Sequence, residues 1–496
     1  MLKSKTILNE KNMVNGTRVQ WIQPLHFVCL KEGGTFLKTD VFETMSVPKA
    51  VVKLALPTVL GMLVQIIYNM ADTVFIGWLN DENQMAAVTL AMPFFTFLMA
   101  LAGVFGIGGG SFISRSLGIK DFQRVKKTSS FGFYACIALG IICAVVGIIF
   151  MEPILSLLGA KVGTTMSYSV DYSFWVLLGA PIIMLSFSMG QIIRSEGASG
   201  ISMIGMTIGG VLNIILDPIM IFGMNMGVVG AAIATVLGNV GAVLFYLWYM
   251  IFKSKNLSIS PKYMIPDGFE LRNILLIGIP ASLNTMLMCI SNIIENNLAA
   301  NHGALELSSI GVILKINMFP VFILIGLGQG VQPLIGYNYS ANNRKRLASV
   351  MKFTSIVATI MAIIFTVVIF FGSDWFVSLI MSKQEIVELG SRYLKYIMLS
   401  VPILGLLFVF TNAFQGMGKS IPAMILSVSR QGFVFIPIVF IADALYGCDG
   451  IVFAQPIADI VSVIMSIIMF IIIWKKDSKL HATPSTETLK QEANQA

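Results

Sequence analysis

Charge is scarce in this chain. Only 12% of its 496 residues are Asp, Glu, Lys or Arg, while 56% are hydrophobic, and the mean hydropathy is +0.83. A soluble domain carries roughly a quarter charged residues, so the composition excludes a soluble enzyme or binding module and predicts a polytopic membrane protein. Histidine is scarcer still, at three widely separated residues, which argues against a histidine-built metal centre. The five cysteines (Cys29, Cys136, Cys143, Cys289, Cys448) show neither metal-ligand spacing nor a disulfide framework. Gly106-Ile107-Gly108-Gly109-Gly110-Ser111 lacks a following Gly-Lys-Ser/Thr and a preceding strand, so a phosphate loop is excluded there. Small residues for close helix packing explain the run better. No nucleotide-binding unit is found elsewhere, which leaves an ion gradient as the natural energy source. The net charge of +8 reads as Lys and Arg in cytoplasmic loops rather than as a nucleic-acid surface.

Long apolar runs are what the chain has in excess. Twelve are long enough to cross a bilayer, at about 51–79, 87–114, 129–151, 171–193, 199–222, 228–252, 271–299, 308–336, 350–371, 392–415, 421–441 and 449–474. The fold class is therefore all-α, a multi-pass protein of the plasma (cytoplasmic) membrane. Lys and Arg gather in alternate loops: Arg115 to Lys127 after the second span, Lys253 to Arg272 after the sixth, Arg344 to Lys352 after the eighth, and Lys475-Lys476 after the last. The loops between are acidic or neutral, except a mixed one after the ninth span. By the positive-inside rule both termini are cytoplasmic, which requires an even number of spans. Residues 1–45 are mixed polar and read as a cytoplasmic tail, or as sequence upstream of a true start at Met45. Residues 477–496 read as a second tail.

The two halves repeat one another. Pro57 and Pro280 are 280 − 57 = 223 apart, and the same offset carries Asn69 onto Asn292 and Asp72 onto Glu295. An offset of 220 carries Gly106, Gly108 and Gly110 onto Gly326, Gly328 and Gly330, and Gly230 onto Gly450; 221 carries Tyr172 onto Tyr393, Pro181 onto Pro402 and Gly197 onto Gly418. An ordered series of this kind implies two six-helix lobes, 46–255 and 271–476, joined by a linker at 256–270. Six spans per lobe give both the same orientation, so the repeat is parallel and substrate belongs between the halves near the midplane.

A carboxylate in an apolar span is costly in hydrocarbon and marks a functional position by default. Asp72 lies in the first span. Asn213 and Asp217 lie four apart in the fifth, on one helix face, and Pro218 removes a backbone donor beside them. Such oxygens suit Na⁺, or a proton on a buried carboxylate. The alternative is an aspartate near a helix end reaching the headgroups. Glu295, amid Asn292, Asn296 and Asn297, reads as a second acidic site or as a structural ion pair with Lys315. Arg430 reads as paired to an unnamed partner or as snorkelling to the interface, and Arg194-Ser195-Glu196-Gly197 as a local ion pair and turn.

The residues Pro57, Asn69-Met70-Ala71-Asp72-Thr73, Arg194-Ser195-Glu196-Gly197, Asn213 to Pro218 and Ser429-Arg430-Gln431-Gly432 together resemble the multidrug and toxic compound extrusion (MATE) family, specifically its bacterial DinF-like branch, over about 46–476. The resemblance implies export of drugs and small organic cations against H⁺ or Na⁺, by a membrane-embedded monomer with no resident cofactor. It implies a cation site at Asp72, Tyr172, Asn213, Asp217 and Thr235, with Asp72 and Asp217 the Na⁺ ligands if Na⁺ is the ion. Gln65 and Met206 are implied as drug contacts, and Glu295 is similar to an acid used by another branch. A lipid-linked oligosaccharide flippase of the same fold would want basic cavity residues, of which only Lys315 and Arg430 offer themselves. A membrane-embedded enzyme would need a His, Ser or Cys constellation, and none stands near the midplane.

Overall fold

The computed structural model describes residues 40–79, 81–381 and 383–480. The tail readings for 1–39 and 481–496 lie outside those residues. In hydrocarbon every backbone amide must be satisfied within its own segment, so apolar runs of this length fold as helices. After a short helix α1 (Asp40–Glu43) come α2 (Val47–Gly77), α3 (Glu82–Gly118), α4 (Phe122–Ile149), α5 (Met151–Leu157), α6 (Thr165–Leu178), α7 (Ala180–Ser195), α8 (Ser199–Pro218) and α9 (Gly227–Phe252). The second half holds α10 (Gly268–His302), α11 (Ala304–Ser340), α12 (Arg344–Phe371), α13 (Ser373–Ser378), α14 (Gln384–Met398), α15 (Val401–Met417), α16 (Ser420–Val428), α17 (Phe435–Tyr446) and α18 (Cys448–Leu480).

Among the described residues ten helices are long and apolar enough to cross a membrane, α8 and α16–α17 being extended by π-turns, and two bent pairs bring the number to twelve. The bent pairs correct the sequence reading, which drew the fourth and tenth spans as continuous. Helices α6 and α7 meet at 54°, and α14 and α15 at 49°. The breaks fall at Gly179-Ala180-Pro181 and Leu399-Ser400-Val401-Pro402, where a proline N-terminal in the new helix denies the preceding turn a donor. They are repeat-related, since 400 − 179 = 221. The lipid-facing helices also correspond: α4 exposes Ile141, Ile142, Val145 and Val146, and α12 exposes Ile360, Ile363, Ile364 and Val367.

The halves touch through glycines. Helix α10 packs along α3, and α11 along α2. A Cβ on Gly108 would lie 2.9 Å from Gly278 N, and one on Gly330 would lie 2.6 Å from Ala55 Cα. These backbone-to-backbone approaches explain the glycine run that the sequence reading assigned to packing. Ser282 Oγ donates to Ala100 O at 2.5 Å and Ser111 Oγ to Gln415 O, tying the halves by hydrogen bonds as well.

The basic loops meet at one end of the bundle. Lys127 pairs with Asp267 at 2.9 Å, and Ser129 and Ser130 donate to Ser258 O of the linker. Helix α1 lies at the same end. Phe42 is fully buried and stacks on Tyr337 at 4.8 Å, while Arg346 donates to Phe42 O and Val41 O at 2.7 and 3.2 Å. Glu43 accepts from the Tyr337 hydroxyl and pairs with Lys120. The segment just before α2 thus straps the first half to α11 and α12. At the far end Asp81 caps α3. Hydrogen bonds from the Gln84 side chain and from the Gln84 and Asn83 amides hold its carboxyl below the usual carboxylate range.

Candidate functional site

Helix α8 carries Asn213 and Asp217 one turn apart, both buried. Asn213 Nδ2 donates to Asp217 Oδ1 at 3.1 Å and to Thr235 Oγ1 of α9 at 3.4 Å. Glycine brings α8 and α9 that close: a Cβ on Gly238 would lie 2.6 Å from Gly209 O and 3.3 Å from the Asn213 Cβ. Beyond Asp217, Pro218 ends the regular helix, and Ile219–Gly223 continue as a π-turn. The loosening expected at Pro218 takes that form, one that recurs at functional positions.

Asp72 comes in from α2 and Tyr172 from α6. Helix α2 packs along α8 and α6 against α9, which brings Asp72 and Tyr172 to the side of the bundle that carries Asn213, Asp217 and Thr235. All five residues expected at the cation site are therefore brought together from four helices. Asp217 is fully buried rather than reaching for headgroups. Three oxygens of the cluster, Asp72 Oδ1, Asp217 Oδ2 and Asn213 Oδ1, are buried without a hydrogen-bond partner. Each is an acceptor, so the cluster has acceptors in excess of donors. Such an excess of acceptors can be met by a proton or a monovalent cation.

A cavity opens beside this cluster. Gln65 and Met206 line it, and Asn213 and Thr235 belong to both the cavity wall and the acid cluster. Tyr68, Ser186, Gln191, Arg194 and Asn239 add to its polar lining, and Met62, Met99, Phe95 and Phe187 to its apolar one. Apolar walls with few placed polar groups are what a site for organic ligands needs, and thioethers adapt to different shapes.

Arg194 corrects the local ion pair expected for Arg194-Ser195-Glu196. It crosses to the second half, donating to Gln329 Oε1 at 2.7 Å, while Glu196 accepts from Tyr249 and Ser254 at 2.7 and 2.9 Å. The turn is as expected, with Gly197 at φ +88°. Glu295, expected to meet substrate, stands apart from the cavity that holds Gln65 and Met206. It is 4% exposed in the second half, and among the described residues it forms no ion pair with Lys315, which is exposed. Arg430 has its partner in Asp459, at 2.8 Å. Asp459 escaped the sequence reading, although a carboxylate inside the apolar run of the last span is the same signal that marked Asp72.

The chain matches the MatE family model twice, over residues 57–219 and 280–441, once in each half. It is similar to "Multidrug export protein MepA" of Staphylococcus aureus (strain MSSA476), 38% identical over 418 residues that cover 84% of this chain and 92% of the relative. The protein of the same name from Staphylococcus haemolyticus (strain JCSC1435) is 37% identical over 432 residues, covering 87% and 94%. Among solved structures, "Outward-facing conformation of a multidrug resistance MATE family transporter of the MOP superfamily" is similar at a TM-score of 0.83 and 25% identity, covering 92% of this chain and all of that one. "Crystal structure of MATE in the bent conformation" is similar at a TM-score of 0.84 and 25% identity, covering 91% of this chain. With one match in each repeated half and relatives spanning nearly its whole helical bundle, the chain belongs to the MatE family of transporters.

Proposed function

We propose that this protein exports drugs and small organic cations from the cytoplasm by antiport with H⁺ or Na⁺, as a monomer in the plasma membrane with both termini cytoplasmic. The observation that carries the reading is the acid cluster. Asp72, Asp217 and Asn213 present three unpartnered acceptor oxygens, and Asn213 and Thr235 join that cluster to a cavity lined by Gln65 and Met206. The multidrug function given for the relatives fits a cavity walled by Met, Phe and a few amides. Cation uptake at Asp72 and Asp217, with Tyr172 and Thr235 contributing oxygen, removes the mutual repulsion of the two acids. Asn213 and the α2 backbone then repack, and the cavity between α2 and α8 changes shape. The ion drives transport only through its different affinity for the two states of the lobes, 46–255 and 271–476. Glu295, buried outside that cavity in the other lobe, is a second negative position that meets the positive charge of substrates only if the lobes rearrange during the cycle.

The test is ethidium transport in everted vesicles under an imposed proton or sodium gradient. One gradient drives the native protein and identifies the ion, and Asp72→Asn abolishes the driven component. Transport at the native rate by that variant would falsify the assignment of the cluster as the coupling site.

A further inference from the structure

The second half contains a buried polar cluster that the transport reading does not use. Arg430 Nε lies 2.8 Å from Asp459 Oδ1, their side chains being 11% and 3% exposed. Gln455 Nε2 donates to the same Oδ1 at 2.9 Å, and Ser400 Oγ donates to Oδ2 at 2.9 Å. The guanidinium stacks over the Phe408 ring at 5.3 Å. Arg430 sits in a π-turn, Ser429–Phe433, and the Ser291 hydroxyl of α10 takes up the Gln431 carbonyl of that turn at 2.5 Å. Three elements, the π-turn, α18 and the start of α15, therefore converge on one carboxylate and hold one cation against it, and α10 braces the turn.

The internal repeat says what this place corresponds to. Gln455 repeats Thr235 and Asp459 repeats Asn239, because 455 − 235 = 220 and 459 − 239 = 220. Arg430 repeats Gly210 at an offset of 220 or Gly209 at 221. Thr235, Asn239, Gly209 and Gly210 all line the first-half cavity. Where the first half has two glycines and an amide lining a cavity, the second half has an arginine paired with a carboxylate.

We infer that the second lobe keeps a counterpart of the first-lobe cavity as a carboxylate-based cation site, that the Arg430 guanidinium is its resident cation, and that with this side chain removed the site binds a guanidinium-class cation from solution. Asp459, Gln455 and Ser400 form the receptor and Phe408 its aromatic wall. The charge of Asp459 is offset by Arg430, so this lobe has no exchangeable cation to load at that position, in contrast to Asp72 and Asp217. That last contrast rests on the function proposed above, whereas the occupancy of the second-lobe position does not.

The experiment is binding of methylguanidinium to the purified full chain, read by its thermal unfolding midpoint, and it involves no transport. Arg430→Ala is expected to gain a midpoint that rises with methylguanidinium and saturates in the millimolar range. Tetramethylammonium, a cation of similar size with no N–H donor, is expected to bind roughly tenfold more weakly or less, because charge-assisted donors supply most of the attraction. The native chain and the Arg430→Ala/Asp459→Asn double variant are expected to show no rise. Absence of a rise in Arg430→Ala, or an equal rise in the double variant, overturns the inference. Should Arg430→Ala fail to accumulate in membranes, accumulation of the double variant, or rescue of the single variant by methylguanidinium in the growth medium, sustains it. Loss of both variants with no rescue overturns it.

Discussion

Replacing Gly278 by alanine tests whether the glycine seam is what closes the basic end of the bundle. A Cβ there would lie 2.7 Å from Val104 C and 2.8 Å from Val104 Cα, and nearer still to the Val104 carbonyl oxygen. Ordinary carbon contacts are ~3.5–4.0 Å, so α10 must retreat from α3 by about 1 Å. The obstacle is backbone, with no side-chain rotamer to absorb the strain. The Ser282 bond to Ala100 O, one turn along, stretches with the same movement. Overpacking of this kind costs ~1–3 kcal/mol. At ~1.4 kcal/mol per factor of ten, the closed state loses roughly 5- to 150-fold in population relative to one opened at this end. A cysteine at Ser114, which is fully buried beside Gly336, reports the opening in a background with the five native cysteines replaced. Maleimide labelling is expected to accelerate by roughly tenfold in Gly278→Ala, with ethidium transport slowed. Gly200→Ala is the control, because a Cβ at Gly200 meets nothing within 4 Å. Unchanged labelling and unchanged transport in Gly278→Ala would refute the claim that this contact holds the lobes together.

Two further outcomes are expected. Phe42→Ala removes a fully buried ring stacked on Tyr337 and should cost about 3–5 kcal/mol, read as a lowered thermal unfolding midpoint of the detergent-purified protein; an unchanged midpoint would mean that the strap contributes nothing to stability. Asn213→Leu keeps side-chain size but removes the donor shared by Asp217 and Thr235, leaving buried oxygens unmatched at a cost of ~1–3 kcal/mol. Gradient-driven ethidium transport should fall by at least tenfold, and retention of the native rate and native ion dependence would remove Asn213 from the site.

Much of this protein is written in the linear pattern of its chain. Length and apolarity of the spans force helices, because hydrocarbon offers the backbone no other partner. The duplication is visible in Pro57 and Pro280, in the paired glycine runs and in the matching prolines Pro181 and Pro402. Asp72, Asn213 and Asp217 stand out because a carboxylate or carboxamide in an apolar span has few other reasons to be there. What the chain could not display is which polar groups satisfy one another, since that depends on helices far apart in sequence. Arg194 and Glu196 look like a local pair, yet each finds a better partner in another helix, Arg194 in Gln329 across the seam and Glu196 in Tyr249. Arg430 has no partner within its own span, because Asp459 lies 29 residues away in α18. Glu295 reads as the twin of Asp72, yet its neighbours leave it outside the cavity. The sequence by itself determined the helices, the repeat and the costly charges, all of which follow from local composition against a lipid solvent. Tertiary structure alone decided which of those charges share a cavity, which are paired off and where a missing side chain leaves space, because these are set by the close approach of helix backbones at glycine.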